Sequence, residues 1–351
     1  MDSMTDHALE FSLLNDYQHG FPLCSTPFAR LAQELGSTEA EVLTICAKLL
    51  AAGRISRVGA VFAPGRVGAS TLAAIRVAPE RLAQVAAMVS QFAEVNHNYE
   101  REHRFNLWFV VTSSSPERLS AVLAQIASRC ALPVMCLPLE EEFHIDLGFK
   151  LEHQRGCGVH GRPTLAKKHA PRSSRTAVSF VLDAQGQALI NALQGGLPLV
   201  ARPYAQLAQQ LNWPEPQVLK RLGAWLEAGI LKRFGVVVRH HELGYTANAM
   251  VVHDIPDALV SALGQTLGQH PAVTLCYRRP RQGGDWPYNL FCMLHGRDRS
   301  VVEAQIAQLR ADFALQAYPH EVLFSRTRYK QQGAYYADDA VPDRPVTALA
   351  A

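Results

Sequence analysis

PLCSTPFARLAQELGSTEAEVLTICAKLLAAGRISRVGAVF, residues 22–62, returns without a gap as PLVARPYAQLAQQLNWPEPQVLKRLGAWLEAGILKRFGVVV, residues 198–238. Pro27 falls on Pro203, Phe28 on Tyr204, Leu31 on Leu207, Leu35 on Leu211, Gly53 on Gly229, Arg57 on Arg233 and Gly59 on Gly235. The period is about half the chain, so a whole unit has been duplicated in tandem and the chain is not a solenoid. Each half is long enough to fold alone. Within the repeat, Phe28, Leu31, Ala32 and Leu35 recur at helical spacing, and Val42, Leu43, Ile45, Cys46, Leu49 and Leu50 do so again. Gly36-Ser37-Thr38 separates the two predicted helices, with Ser37 or Thr38 as N-cap, and Gly53 closes the second. Ile55–Phe62 alternates as a strand and turns near Pro64-Gly65, which makes the repeat a winged helix-turn-helix.

Beyond the wing, each unit reads strand, helix, strand, strand, helix, strand. The segments are 70–77, 79–91, 95–99, 105–112, 116–129 and 133–147 in the first half, and 247–252, 256–269, 273–278, 288–294, 298–313 and 317–328 in the second. A βαββαβ order with amphipathic helices is the ferredoxin-like arrangement: an antiparallel sheet with both helices on one face and the other face free to meet a partner. The fold class is α+β. The expected divisions are a winged helix-turn-helix over 1–68 and a ferredoxin-like domain over 69–149, then a linker over 150–178. The second unit repeats them over 179–244 and 245–330, ahead of a tail at 331–351. The linker is rich in Gly, Pro, Ser and basic residues and has no hydrophobic period. His153, Cys157 and His160 within it are scattered as solvated side chains are.

With 351 residues, 48% hydrophobic, 19% charged and a net charge of +3, the chain is an ordinary globular protein with room for more than one core. Residues 1–11 lack a basic stretch followed by an apolar one, and no segment approaches about 18 uninterrupted apolar residues, so the cytoplasm is the expected location and no membrane is expected. Seven cysteines without a C-x-x-C pair argue against a disulfide framework or a zinc site. The near-neutral balance also argues against a dedicated nucleic-acid binder.

Two cationic hairpins carry the chemistry. VNHNYEREHRFNLWFVV, from Val95, matches VTLCYRRPRQGGDWPYNLFCMLHG, from Val273: Tyr99 falls on Tyr277, Arg101 on Arg279 and Asn106-Leu107 on Asn289-Leu290. Like charges crowded on adjacent loops repel unless an anion resolves them, so Arg57, Arg101, Arg104, Arg233, Arg239, Arg278 and Arg279 point to a polyanionic ligand gripped by guanidinium forks. His97 lies two residues before Tyr99 on the same strand face and suits proton transfer; the matching position in the second half is Leu275. His240 and His241, at the end of the second wing, are alternatives. Tyr99 and Tyr277 also read as cross-strand packing, and Trp286 as either a ligand wall or core.

A helix-turn-helix followed by a ferredoxin-like domain resembles the leucine-responsive/asparagine regulator family of transcription factors, over nearly the whole chain, twice. A groove-reading helix needs several cations. The segment 38–52 has Glu39, Glu41 and only Lys48, and 215–228 opens on Glu215 and closes on Glu227, so neither suits DNA. The run RFGVVVRHHELGYTANAMVVHDIP (233–256), with VTLCYRRP and WPYNLFCMLHGR, is similar to the siroheme decarboxylases, and the tandem layout resembles the fused form of denitrifiers. That resemblance implies conversion of siroheme to 12,18-didecarboxysiroheme by loss of two acetate carboxylates in haem d biosynthesis, a carboxy-lyase reaction without a separate cofactor. It implies His97, Tyr99, Arg101, Tyr277 and Arg279 as catalytic residues. Siroheme would be held by Arg57, Arg104, Arg233, Arg239, His240, His241, Arg278 and Trp286, with His97 or His241 as axial contact to its iron. Association with further copies or with homologous decarboxylase subunits is also implied. A DNA-binding regulator and a catalytically silent tetrapyrrole-binding subunit remain the alternatives.

Overall fold

The capping residues of the repeat define its helices. In the computed structural model, which describes residues 3–145, 148, 182–334 and 336 but not the side chains of 3–5 and 240, α1 (Ser3–Asp16) precedes the helix-turn-helix pair α2 (Pro27–Leu35) and α3 (Glu39–Ala51). Pro27 opens α2, and Gly36, at φ 66°, closes it in the left-handed region that a side chain resists. Thr38 and Glu41 cap α3 reciprocally: Thr38 Oγ1 accepts from the Glu41 amide at 3.3 Å and the Thr38 amide donates to Glu41 Oε2 at 2.9 Å. The wing strand β1 (Ile55–Phe62) leads into β2 (Ala69–Ile75), α4 (Leu82–Ser90), β3 (Val95–Arg101), β4 (Leu107–Ser113), α5 (Pro116–Cys130), β5 (Met135–Pro138) and β6 (Glu141–Ile145). The second unit repeats the series as α6 (Ala184–Leu193), α7 (Pro203–Leu211), α8 (Glu215–Glu227), β7 (Leu231–Val238), β8 (Ala247–His253), α9 (Asp257–Gly268), β9 (Leu275–Arg278), β10 (Leu290–Gly296), α10 (Arg299–Asp312) and β11 (His320–Gln331). Sequence reasoning did not anticipate α1 and α6. The expected linker, with His153, Cys157 and His160, and most of the expected tail lie outside the described residues.

Each wing strand pairs with the other unit's wing strand. β1 and β7 run antiparallel with Gly59 opposite Gly235, where the sequence suggested a separate ribbon in each unit. Close approach requires glycine at 235, where a Cβ would lie 2.4 Å from Gln18 O, and leaves little room at Gly59, where one would lie 3.2 Å from Gly196 Cα. The two helix-turn-helix units consequently share one apolar core, joining Phe28, Leu31 and Ile45 to Tyr204, Leu222 and Phe234.

The remaining strands follow the order β5-β2-β4-β3-β11-β8-β10-β9-β6. Each unit contributes a four-stranded antiparallel sheet in ferredoxin-like order, and the last strand of each unit crosses to the other. β11 pairs with β8 over 320–324 and with β3 over 325–331. In the first unit β5 pairs with β2, and β6, two residues further on, pairs with β9. The strand expected over 133–147 is therefore two strands, which form the two edges of the nine-stranded sheet. Helices cover the outer faces. Between the inner faces lies a core of Trp108, Met250, Trp286, Phe291 and Leu323, with the two indoles 5.1 Å apart. The sheet face left free in the sequence reading thus meets the other unit of the same chain. Asn106 and Asn289 brace the two halves alike: each amide side chain exchanges two hydrogen bonds with one backbone residue, Val77 or Ile255, at 2.8–3.0 Å. Among the described residues no helix is long and apolar enough to cross a membrane.

Candidate active site

Between the wing ribbon and the open end of the inter-sheet layer lies a cavity of about 370 Å³. The ribbon supplies Arg57, Lys232 and Arg233, and Arg239 follows it. β3 supplies His97, Tyr99 and Arg101, and β11 supplies Arg326 and Arg328. Among the described residues the lining holds these six arginines and one lysine, and no carboxylate. Alternation on β3 explains the placing of its three: Asn98 turns outward to α4, where its Nδ2 donates to Ala86 O at 3.0 Å, so His97, Tyr99 and Arg101 face inward.

The cations differ in what balances them. Arg326 pairs with Glu102 at 3.2 Å, Arg328 with Glu242, and Lys232 with Glu142. Arg101 is only 7% exposed, yet its described partners are neutral: its guanidinium donates to Asn248 Oδ1 at 3.2 and 3.3 Å and to Leu323 O at 2.9 Å. Arg57 donates to Ala60 O at 2.9 Å, and the Nε atoms of Arg57 and Arg239 are buried with no hydrogen-bond partner among the described residues. Burial pulls Arg101 down to about 10 and lowers Arg57 as well, since a guanidinium without an anion is poorly solvated there. Lys232 is pulled down to about 8 by burial. A buried cation normally has a counter-ion. Among the described residues no carboxylate meets Arg101 or Arg57, so the cavity offers two guanidinium groups to an anion.

His97 opens on the cavity, its ring edge-on to Tyr99 with centroids 6.2 Å apart, and its imidazole has no hydrogen bond among the described residues. Burial, and then the Arg57 charge, lower its pKa to about 4, so it is a neutral imidazole at neutral pH. Burial likewise raises the Tyr99 phenol. His241 sits at the rim, 53% exposed and 4.0 Å from Glu242. The side chain of His240 lies outside those described. Arg233 lines the cavity but is committed to the frame, donating to Gln18 O at 2.7 Å and Val236 O at 3.2 Å. Tyr277 reaches the cavity with its ring stacked on Phe291.

Four expected site residues lie elsewhere. Arg104 is half exposed and pairs with Asp285 at 3.4 Å. Arg278 pairs with Glu140 and Asp257, each at 3.0 Å. Arg279 is partly buried against the Tyr277 ring, 4.6 Å from its centroid, and donates to Leu137 O. Trp286 is fully buried in the inter-sheet core. The like charges of the second hairpin are resolved by the protein itself: Glu140, Asp254 and Asp257, distant in sequence, fold against Arg278 and Arg281. Sequence reasoning in turn missed Lys232, Asn248, His295, Arg326 and Arg328 as cavity residues. The alternation of Arg326 and Arg328 along β11 was a usable signal; Asn248 and His295 carried none apart from their polarity between apolar neighbours.

Comparison with known proteins agrees with this geometry. A family profile described as the AsnC-like ligand binding domain matches residues 66–144 and 242–330, and one described as the siroheme decarboxylase NirDL-like HTH domain matches 10–55 and 187–231. The siroheme decarboxylase NirDL subunit of Paracoccus denitrificans is 41% identical over 337 residues, covering 96% of this chain and 100% of that one. The siroheme decarboxylase NirD subunit of Pseudomonas aeruginosa is 52% identical over 143 residues, 41% of this chain and 95% of its own. The crystal structure of the siroheme decarboxylase NirDL in co-complex with an iron-uroporphyrin III analogue superposes with a TM-score of 0.65 at 26% identity, covering 94% of each chain. Duplicated fold, shared wing ribbon and near-complete alignment with these relatives lead to one assignment: the chain belongs to the siroheme decarboxylase family, in its fused two-unit form.

Proposed function

We propose that this chain is a carboxy-lyase that binds siroheme in the cavity beneath the wing ribbon and removes two of its acetate carboxylates, giving 12,18-didecarboxysiroheme for haem d. The observation that carries the reading is the lining: among the described residues it has seven cationic side chains and no carboxylate, with Arg101 buried and Arg57 partly buried beside neutral partners. A macrocycle rimmed by acetates and propionates supplies the missing anions, and its flat apolar face suits Phe62, Leu72, Met250 and Met293 among the walls. Where relatives are named as separate single-unit subunits, this chain supplies both units of the cavity from one polypeptide. The regulator alternative has less behind it, because both wings are used in pairing with each other.

The chemistry asks little beyond positioning and one proton. Loss of CO2 from an acetate on a pyrrole leaves an electron pair that the conjugated macrocycle delocalises, so no separate organic cofactor is called for. Guanidinium forks fix the carboxylates that stay, and the carboxylate that leaves does so from an apolar wall that favours neutral CO2 over its anion. The carbon left behind takes up a proton. His97 would deliver it, since substrate carboxylates beside it raise its proton affinity from the low value that burial imposes. Tyr99, edge-on to that ring and 5.9 Å from the Arg101 guanidinium, completes the group.

Anaerobic incubation of the purified chain with siroheme tests this. The expected product has lost the mass of two CO2 units, with CO2 released in step. Siroheme recovered unchanged from a protein that binds it leaves a silent binding subunit, and promoter DNA shifted in a salt-sensitive manner leaves a regulator.

A further inference from the structure

Arg101 enters the cavity from the first unit, and the second unit holds it there. Both of its terminal nitrogens donate to Asn248 Oδ1, at 3.3 and 3.2 Å. The amide of Asn248 is then oriented with Nδ2 toward His295 Nε2, 2.8 Å away. His295 Nδ1 lies 2.8 Å from Thr274 Oγ1, and that hydroxyl donates to Met293 O at 3.0 Å. The bonds run one way. Asn248 donates to Nε2, so the fitting tautomer carries its hydrogen on Nδ1 and donates to Thr274, which passes its own hydrogen to the backbone. Burial, and then the Arg101 charge, hold His295 down to about 4, which keeps that neutral tautomer in place.

The first unit contains the same skeleton without the same result. Cross-strand from one another, Asn248 and His295 in the second unit correspond to Ser70 and Thr112 in the first. Asn96 Nδ2 donates to Thr112 Oγ1 at 3.3 Å, as Thr274 meets His295. Arg279 donates to Leu137 O as Arg101 donates to Leu323 O. Ser70 is too short to reach across as Asn248 does, and of the two arginines only Arg101 lines the cavity.

We infer that His295 is a positioning residue: through Asn248 it fixes the Arg101 guanidinium to receive one substrate carboxylate, so the hairpin of the first unit handles the substrate and the second unit serves as its support. This rests on the siroheme reading above. A substrate carboxylate meeting Arg101 is bound alike before and during the reaction, so loss of the support raises KM and leaves kcat in place.

The test compares His295→Leu, Asn248→Leu, their double variant and His295→Gln in the full-length chain, by anaerobic siroheme titration and turnover. For His295→Leu, KM and Kd are expected to rise about tenfold with kcat within about twofold of wild type. His295→Gln, which can still accept from the Asn248 amide, restores most of that loss. The double variant is no worse than Asn248→Leu alone, because the two residues act in series. Equal losses in His295→Leu and His295→Gln, or additive losses in the double variant, overturn the inference. So does a His295→Leu chain that binds as wild type. A wild-type chain that does not bind siroheme overturns the functional reading first, and this inference with it.

Discussion

Replacing Arg101 with methionine separates two roles that a buried cation can have. The folded guanidinium sits at about 10 because burial penalises its charge. A base whose folded pKa lies below its unfolded value destabilises the fold wherever both states are charged, here at every pH below about 10. A drop of that size corresponds to about 3 kcal/mol of folding free energy. Arg101→Met removes that penalty but leaves Asn248 Oδ1 and Leu323 O without their donor. Unmet acceptors of that kind cost about 1–3 kcal/mol each, so the relieved penalty offsets much of the loss and the net change lies between a gain of about 1 and a loss of about 3 kcal/mol. Binding has no such compensation. A forked guanidinium–carboxylate pair contributes about 3 kcal/mol, so the siroheme Kd rises about a hundredfold. Denaturant unfolding and anaerobic absorbance titration read the two quantities on one preparation. A variant that loses several kcal/mol of stability while binding as wild type would refute the reasoning, since Arg101 would then be a clamp between units and not a ligand for substrate.

Other outcomes follow from the same geometry. Siroheme binding near neutral pH is expected to take up a proton, because His97 starts neutral, at about 4, and gains carboxylate neighbours; calorimetry in buffers of different ionisation enthalpy should show uptake in wild type and little in His97→Gln. His97, His253 and His295, held neutral at about 4, 3 and 4 by burial, lose stability for the fold as pH falls from about 6.5, the unfolded value, toward 4. Their contribution is intact above that range, and unfolding curves that coincide at pH 7 and pH 5 would contradict it. Trp286→Ala is expected to cost about 3–5 kcal/mol of stability, as a fully buried indole lost from the inter-sheet core, where a ligand wall would lose affinity instead. Arg104→Ala and Arg278→Ala should leave siroheme affinity within about twofold, because both guanidiniums are occupied by protein carboxylates away from the cavity.

The duplication was legible in the chain because packing constrained both copies at the same places. Leu31 and Leu207 are buried at matched positions, and Asn106 and Asn289 make matched backbone bridges. That His97 and Tyr99 share one face of β3 was legible from alternation alone; the strand runs on to Arg101, beyond the expected end at Tyr99, and adds that side chain to the same face. What the sequence could not disclose was pairing between distant segments. The alternating pattern of β1 is the same whether its partner is a local wing strand or β7, and nothing in residues 133–147 announces that the strand leaves one unit's sheet for the other's. The arginines of the second hairpin misled for the same reason. Asp254, Asp257 and Glu140, which neutralise them, come from other elements, so charge density along the chain overstated the charge offered to a ligand.

The central claim is that guanidinium groups, more than the apolar walls, hold the macrocycle. Its most direct measurement is the affinity of the wild-type chain for two iron tetrapyrroles of similar ring size: iron-uroporphyrin, with acetate and propionate on every pyrrole, and haem b, which keeps only a pair of propionates. Iron-uroporphyrin is expected to bind at least about a hundredfold more tightly, and the gap should narrow as salt is raised. Equal affinities, or a preference for haem b that salt does not alter, would contradict the account.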